Sequence, residues 1–169
     1  MTIVDNNILS ALAKVERLDL LPAVFDSVGT PPSVVDELDR AKAAGYGFVD
    51  RIDAVTAHNG GWLTVVSPAG EELELAEDIR DHALSITDAR CLAVAATRDR
   101  RLVTDDAHVG TVGRQHDIEV WDLVLLLQAA IRRGVLTSRA ELSTLVDDLQ
   151  ARDNYRFSTA DEQALFETF

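Results

Sequence analysis

Apolar positions along the chain recur with two different periods. Thr2-Ile3-Val4 is a short β-branched-rich run that stops at Asp5, and Ile8, Leu9, Leu12 and Ala13 then repeat at helical spacing. A second helical piece covers Leu18 to Phe25, and Val28-Gly29-Thr30 predicts a short strand. Pro31-Pro32 suits a helix start, because proline is tolerated at the first helical position, and SVVDELDRAKAAG carries that helix to a stop at Gly45. Residues 47–58 pattern as helix, His58-Asn59-Gly60-Gly61 as a turn, and Trp62-Leu63-Thr64-Val65-Val66 as a strand. After Ser67-Pro68-Ala69-Gly70, an acidic helix over Glu71 to His82 is polar enough to lie on the surface.

Ser85-Ile86-Thr87-Asp88 opens an apolar helix to about Arg98, and Arg101-Leu102-Val103-Thr104 is a strand ending in Asp105-Asp106. A short helix containing Gly110 and Gly113 leads to a strand at Asp117-Ile118-Glu119-Val120. Helices over 121–133, over Ser138 to Gln150 and near 160–167 complete the pattern. Strands alternating with helices, with no hairpin signal, predict an α/β fold whose parallel sheet is covered on both faces. Ligands of such sheets bind beyond the carboxyl ends of the strands, where Asp5 and Asp105-Asp106 fall.

Each acid in this pattern has a structural role open to it. Asp5 can cap the helix that follows it. Asp88 completes Ser85-x-x-Asp88, a variant of the capping box, yet it shares a helix side with Leu92 and Ala95 and so faces the sheet. In the helix around Val34, the apolar stripe is Val34, Val35, Leu38 and Ala41; Asp36, Asp39 and Arg40 point away from it, while Glu37 borders it. Four carboxylates from two strand ends and two helices converge on one sheet edge only at a cost, unless protons or cations offset their repulsion. Oxygen-only ligands favour hard octahedral ions, Mg²⁺ or Mn²⁺ rather than zinc. Phosphodiester hydrolysis is the chemistry that such a site performs well.

Composition sharpens the picture. The 169 residues carry 29 acids against 16 bases, a net charge of −13, with a sequence pI near 4.5 and mean hydropathy of +0.02. That balance argues against grip on nucleic acid through a general basic surface. Lys14 and Lys42 are the only lysines, and Asp outnumbers Glu, a surface resembling that of proteins from salt-loving organisms. Cys91 is alone, which excludes an internal disulfide and a cysteine zinc cluster and suits a small buried hydrophobe. MTIVDNN lacks a basic signal-peptide start, and the apolar run Leu123 to Leu127 is too short to span a bilayer. A cytoplasmic protein with no membrane association is expected.

The stretches TIVDNNILSALAKVERLDLL, TPPSVVDEL, ITDARCLAVAATRDRRLVTDD and GVLTSRAELSTLVDDLQARDNYRFS resemble the PIN-domain nucleases, most closely the VapC-like toxin branch. Nearly the whole chain is covered, with about 59–84 the least recognisable part. The resemblance implies a three-layer α/β/α sandwich with a central parallel sheet, in a single domain over 1–169 with a C-terminal helical extension from about 137. It implies an acidic site binding Mg²⁺ or Mn²⁺ and endoribonuclease activity on RNA. The family acids fall on Asp5, Glu37, Asp88 and Asp106, the last in the strand-end T-x-D that begins at Thr104; Asp105 is an additional acid beside it. Asn7 stands where a small hydroxyl or Asn is common. A homodimer and a small antitoxin protein covering the acidic site are further implications.

Two features depart from that branch. Thr87-Asp88 supplies one acid where Glu-x-Glu is frequent, and lysine is nearly absent, leaving Arg90, Arg98, Arg100, Arg101 and Arg114 as the nearest candidates for holding RNA. Other enzyme classes lack parts: no G-K-[ST], no G-x-S-x-G, no H-E-x-x-H, and no ligand spacing among His58, His82, His108 and His116. The competing reading from another class is a PIN-fold interaction module with weak or no catalysis.

Overall fold

In a computed structural model covering residues 1–169, five parallel strands form one sheet in the order β3-β2-β1-β4-β5. They are β1 (Thr2–Val4), β2 (Val28–Thr30), β3 (Leu63–Val65), β4 (Arg101–Val103) and β5 (Val120–Trp121). Ten helices flank them: α1 (Asn6–Lys14), α2 (Leu20–Val24), α3 (Pro32–Ala43), α4 (Val49–Val55), α5 (Gly70–Ile79), α6 (Ile86–Thr97), α7 (Ala107–Gln115), α8 (Leu123–Arg132), α9 (Arg139–Asp153) and α10 (Thr159–Phe166). This is the α/β/α sandwich expected from the alternating pattern.

The central strand explains the apolar start of the chain. Ile3 and Val4 point to opposite faces and are both fully buried, because helices cover each side of a parallel sheet. Pairing of Val4 with Val103 brings the carboxyl ends of β1 and β4 level, and the Asp5 amide extends the ladder by donating to the Val103 carbonyl (3.2 Å). From β1 the chain moves outward through β2 to β3, then crosses back to place β4 on the other side of β1. The strand order therefore reverses between β1 and β4, and the crevice at their carboxyl ends is where open α/β sheets bind ligands.

Several elements depart from the sequence pattern. Glu71 to His82 is predicted as a surface helix, but α5 ends at Ile79 and Glu72 is only 1% exposed. Arg98 grips the Glu72 carboxylate through two bonds, Nε–Oε1 2.6 Å and Nη2–Oε2 2.8 Å, and so offsets its burial. The strand expected at Asp117 to Val120 begins only at Val120. Asp117 has φ 59°, and the Ile118 amide turns back to the Gly113 carbonyl, so this segment closes α7 before pairing with β4 starts. Leu123, Leu126 and Leu127 of α8 and Leu142 and Leu145 of α9, whose apolar faces a homodimer could use, are buried in the core of the chain itself. No helix is long and apolar enough to cross a membrane.

Candidate active site

Asp5 caps α1: its Oδ1 accepts from the Ile8 amide at 2.9 Å, which satisfies one of the donors that a helix start leaves free. The same residue stands at the β1–β4 switch with 3% of its surface exposed. Burial pushes its carboxyl from 3.8 up to about 7; the Ile8 bond and the adjacent Thr104 hydroxyl pull it down, and the charges of Asp105 and Asp88 push it further up. Capping and a place in an acidic site are thus compatible duties of one side chain.

Glu37 and Asp88 approach from α3 and α6. The Asn6 side-chain amide donates to Glu37 Oε2 at 3.0 Å, and Ser10 donates to Asn6 Oδ1 at 3.0 Å, so α1 and α3 are tied together at this edge. Asp88 closes a capping box in which Ser85 Oγ donates to its Oδ2 (2.6 Å) and its own amide donates to Ser85 Oγ (3.0 Å). The Cys91 thiol is buried and held well above its usual pKa by that burial and then by the charges of Asp5, Asp88 and Glu37.

The strand-end pair divides in direction. Asp105 is half-buried and its Oδ1 accepts from both the Leu123 amide (3.0 Å) and the Tyr155 hydroxyl (3.0 Å). Burial raises its pKa, those two bonds oppose the rise, and Asp122 and Asp153 add to it. Asp106 is exposed and caps α7 through Oδ1, which accepts from the His108 (2.8 Å) and Val109 (2.9 Å) amides. Between them Thr104 is buried, and its hydroxyl accepts from the Asp106 amide at 3.2 Å. Asp105, and not Asp106, is among the charges that act on Asp5.

A common rule emerges. Glu37, Asp88, Asp105 and Asp106 each use one oxygen for a position-fixing hydrogen bond and leave the other without any. None of the five acids joins an ion pair, although the chain has many. This all-oxygen donor set fits a hard divalent ion. As the side chains stand, no three of the His, Cys, Asp and Glu groups lie close enough together to hold one. The local hydrogen bonds account for that spread, since like charges separate toward whatever donors each can reach.

Three contributors escape a reading of the sequence. Asn6 contacts Glu37, whereas Asn7 is exposed and makes no side-chain hydrogen bond. Tyr155 reaches Asp105 from 50 residues away, delivered by a turn at Asn154, whose φ of 55° suits Asn. Cys91 is legible as buried but not as a group on which the charges of Asp5, Asp88 and Glu37 act. Among the candidate arginines, Arg98 pairs with Glu72 and Arg101 with Glu119, while Arg90, Arg100 and Arg114 make no ion pair.

No curated protein and no solved structure matches this chain. A family model described as a PIN domain matches residues 1–166, almost the entire length. On that match, and with the all-parallel five-stranded sheet beside it, the chain belongs to the PIN-domain family, whose fold is of the nuclease type.

Proposed function

We propose that this protein is a metal-dependent endoribonuclease that hydrolyses RNA phosphodiester bonds, VapC-like in site and serving as a toxin or in RNA processing. The observation that carries the reading is Asp5: a buried carboxylate at the β1–β4 switch, unpaired by any cation of the chain and beset by the charges of Asp88 and Asp105. Such a group costs stability unless a positive ion meets it. Mg²⁺ or Mn²⁺ matches the donor set, and when bound it supplies hydroxide from water near neutral pH and stabilises the leaving oxygen.

Asp5, Asp88 and Asp106 would hold the ion, with Asp105 beside them and Glu37 at the shell or at the attacking water. Glu37, bonded through Oε2 to Asn6, keeps Oε1 free to orient that water and take its proton. The P–O bond to the leaving ribose breaks as the new P–O bond forms, and the departing oxygen recovers a proton from solvent. Thr104 fixes the strand end beside Asp5 by accepting from the Asp106 amide. Asn7, at the family's supporting position, faces solvent at the start of α1, where a substrate hydroxyl or phosphate can reach it. A homodimer and a small antitoxin whose tail covers the acids belong to the same reading.

Cleavage of single-stranded and structured RNA by wild type and Asp5→Asn, with Mn²⁺ or Mg²⁺ at low and multimolar salt, tests the proposal. Metal-dependent cutting that disappears in the variant is expected; wild type that cuts nothing under any of these conditions overturns it. The scatter of the carboxylates onto local donors favours one second reading, an interaction module without catalysis. Calorimetric titration with Mn²⁺ separates the two, since only the nuclease requires a cation site that Asp5→Asn destroys.

A further inference from the structure

Between α7 and α8, at the carboxyl ends of β4 and β5, lies a cavity of about 320 Å³. It shares Thr104, Asp105 and Asp106 with the acidic site, so anything bound in it lies directly beside those carboxylates. Its size is at the lower end of the ~300–1,000 Å³ common for small-molecule sites, which suits one nucleotide rather than a duplex.

Three properties of the lining select the occupant. Arg114 is its only cation, and its guanidinium makes no hydrogen bond and no ion pair although Asp105, Asp106 and Asp122 line the same space. The side chain folds back along α7 over Gly110, where a Cβ would stand 3.5 Å from Arg114 Nη1 and 3.7 Å from Val120 Cγ1. Leu125 lines the cavity from α8 with 39% of its surface exposed, an apolar facet on which an aromatic base can rest. Asp122 spends Oδ1 on the Leu125 amide and keeps Oδ2 for a donor.

A cation for phosphate, an apolar facet for a base and an acceptor for hydroxyl or amino donors are the complement of a single ribonucleotide. We infer that this cavity is a nucleotide subsite for a single-stranded RNA, with Arg114 holding the phosphate next to the scissile bond, Leu125 supporting the base and Asp122 accepting from the ribose 2′-hydroxyl. The inference rests on the nuclease reading for its place relative to the scissile bond, but not for the binding itself. The dense aspartates explain why only one nucleotide is held: each further phosphate would face a carboxylate rather than a guanidinium.

Amide chemical shifts followed during titration with a six-nucleotide single-stranded RNA, and with its DNA counterpart, in EDTA provide the test. Saturable shifts are expected at Gly110, Thr111 and Leu125, with weaker binding of DNA. Arg114→Ala should weaken RNA binding about tenfold and lower the salt dependence by roughly 0.7 in the log–log slope, one phosphate contact on a single strand, while Arg114→Lys retains most of both. Arg114 is exposed and unbonded, so its variants fold, and the same spectra report it. Unmoved cavity amides, or wild-type affinity in Arg114→Ala, overturn the subsite; equal affinity for DNA overturns the role given to Asp122. Cavity shifts in a protein that cuts no RNA would sink the nuclease reading and leave the subsite standing. Cutting by Arg114→Ala with unchanged KM would do the reverse.

Discussion

Asp5→Asn should stabilise the metal-free protein at alkaline pH and change little in acid. Burial lifts the Asp5 carboxyl from 3.8 to about 7. At ~1.36 kcal/mol per pKa unit, a rise of about three units corresponds to ~4 kcal/mol of penalty for the ionised form. The folded state holds the Asp5 proton more tightly than the unfolded chain does. Below about pH 4 both states are protonated and the penalty is absent. Between roughly pH 4 and 7 folding takes up a proton, so this contribution to stability falls as pH rises, and above about 7 the whole penalty is present. An amide removes the titration, and asparagine caps a helix about as well as aspartate, so the Ile8 bond persists.

Urea unfolding of wild type and variant in EDTA, from pH 4 to 8.5, reads the effect, because slopes from groups that do not interact with Asp5 cancel in the difference, leaving Asp5 and the acids coupled to it. The variant's advantage should grow from about pH 4 and level off above about pH 7 at up to ~4 kcal/mol. Adding Mn²⁺ at pH 8 should then raise the stability of wild type alone, since an ion bound only by the folded state shifts the equilibrium by mass action. A pH-independent difference, or a variant less stable than wild type at pH 8, refutes the reasoning that Asp5 is a carboxylate held at a cost.

Arg98→Ala leaves the buried Glu72 carboxylate unpaired and should cost about 3 kcal/mol in chemical denaturation, with Glu72→Gln in the same background recovering part of it. Gly113→Ala should destabilise by about 1–3 kcal/mol, because its Cβ would lie 2.7 Å from Val120 Cγ2 and 3.3 Å from Leu92 Cδ2; Gly110→Ala, whose Cβ meets only ordinary contacts, should be neutral or stabilising by up to ~1 kcal/mol. Thermal melts distinguish the two glycines directly. RNA cleavage should persist at about 1 M salt, where the Debye length is about 3 Å and the charge of −13 no longer repels the strand beyond contact range; activity that falls monotonically from low salt to nothing would contradict this.

What the sequence made legible follows from the range of each interaction. β1 and its terminal Asp5 are visible because an apolar run, a cap and a helical repeat all lie within about a dozen residues. The phase of α3 is equally local: Glu37 is half-buried at the edge of the stripe, and Asp36, Asp39 and Arg40 are exposed. Glu72 is illegible because its partner Arg98 lies 26 residues away, and nothing near Glu72 signals that its charge is met. Asn6 and Asn7 differ only in which meets Glu37, a question of how α1 crosses α3 and not of residue type. The end of α5 was within reach, since Asp81 Oδ1 accepts from the Ala83 and Leu84 amides in a turn typical of aspartate.

The excess of acid has more than one physical meaning in this molecule. On the surface, carboxylates pair with the available bases, as Lys42 does with Asp50 and Asp53, or remain hydrated. At the carboxyl ends of β1 and β4 the acids instead find backbone amides, two hydroxyls and an asparagine, donors that fix one oxygen without neutralising the charge. A neutral donor positions a carboxylate and preserves its affinity for a cation, whereas an arginine would do the first and abolish the second. The segregation of cations therefore matters as much as the count of acids. Arg98 and Arg101 are spent on Glu72 and Glu119, away from the carboxyl ends of the strands, while Arg114 stays unpaired at a cavity that adjoins those ends. On the proposed reading, hydrogen-bonded acids that hold a metal and a free guanidinium in the adjoining cavity let a strongly acidic chain meet a polyanion at a single phosphate, without the basic surface that its composition lacks.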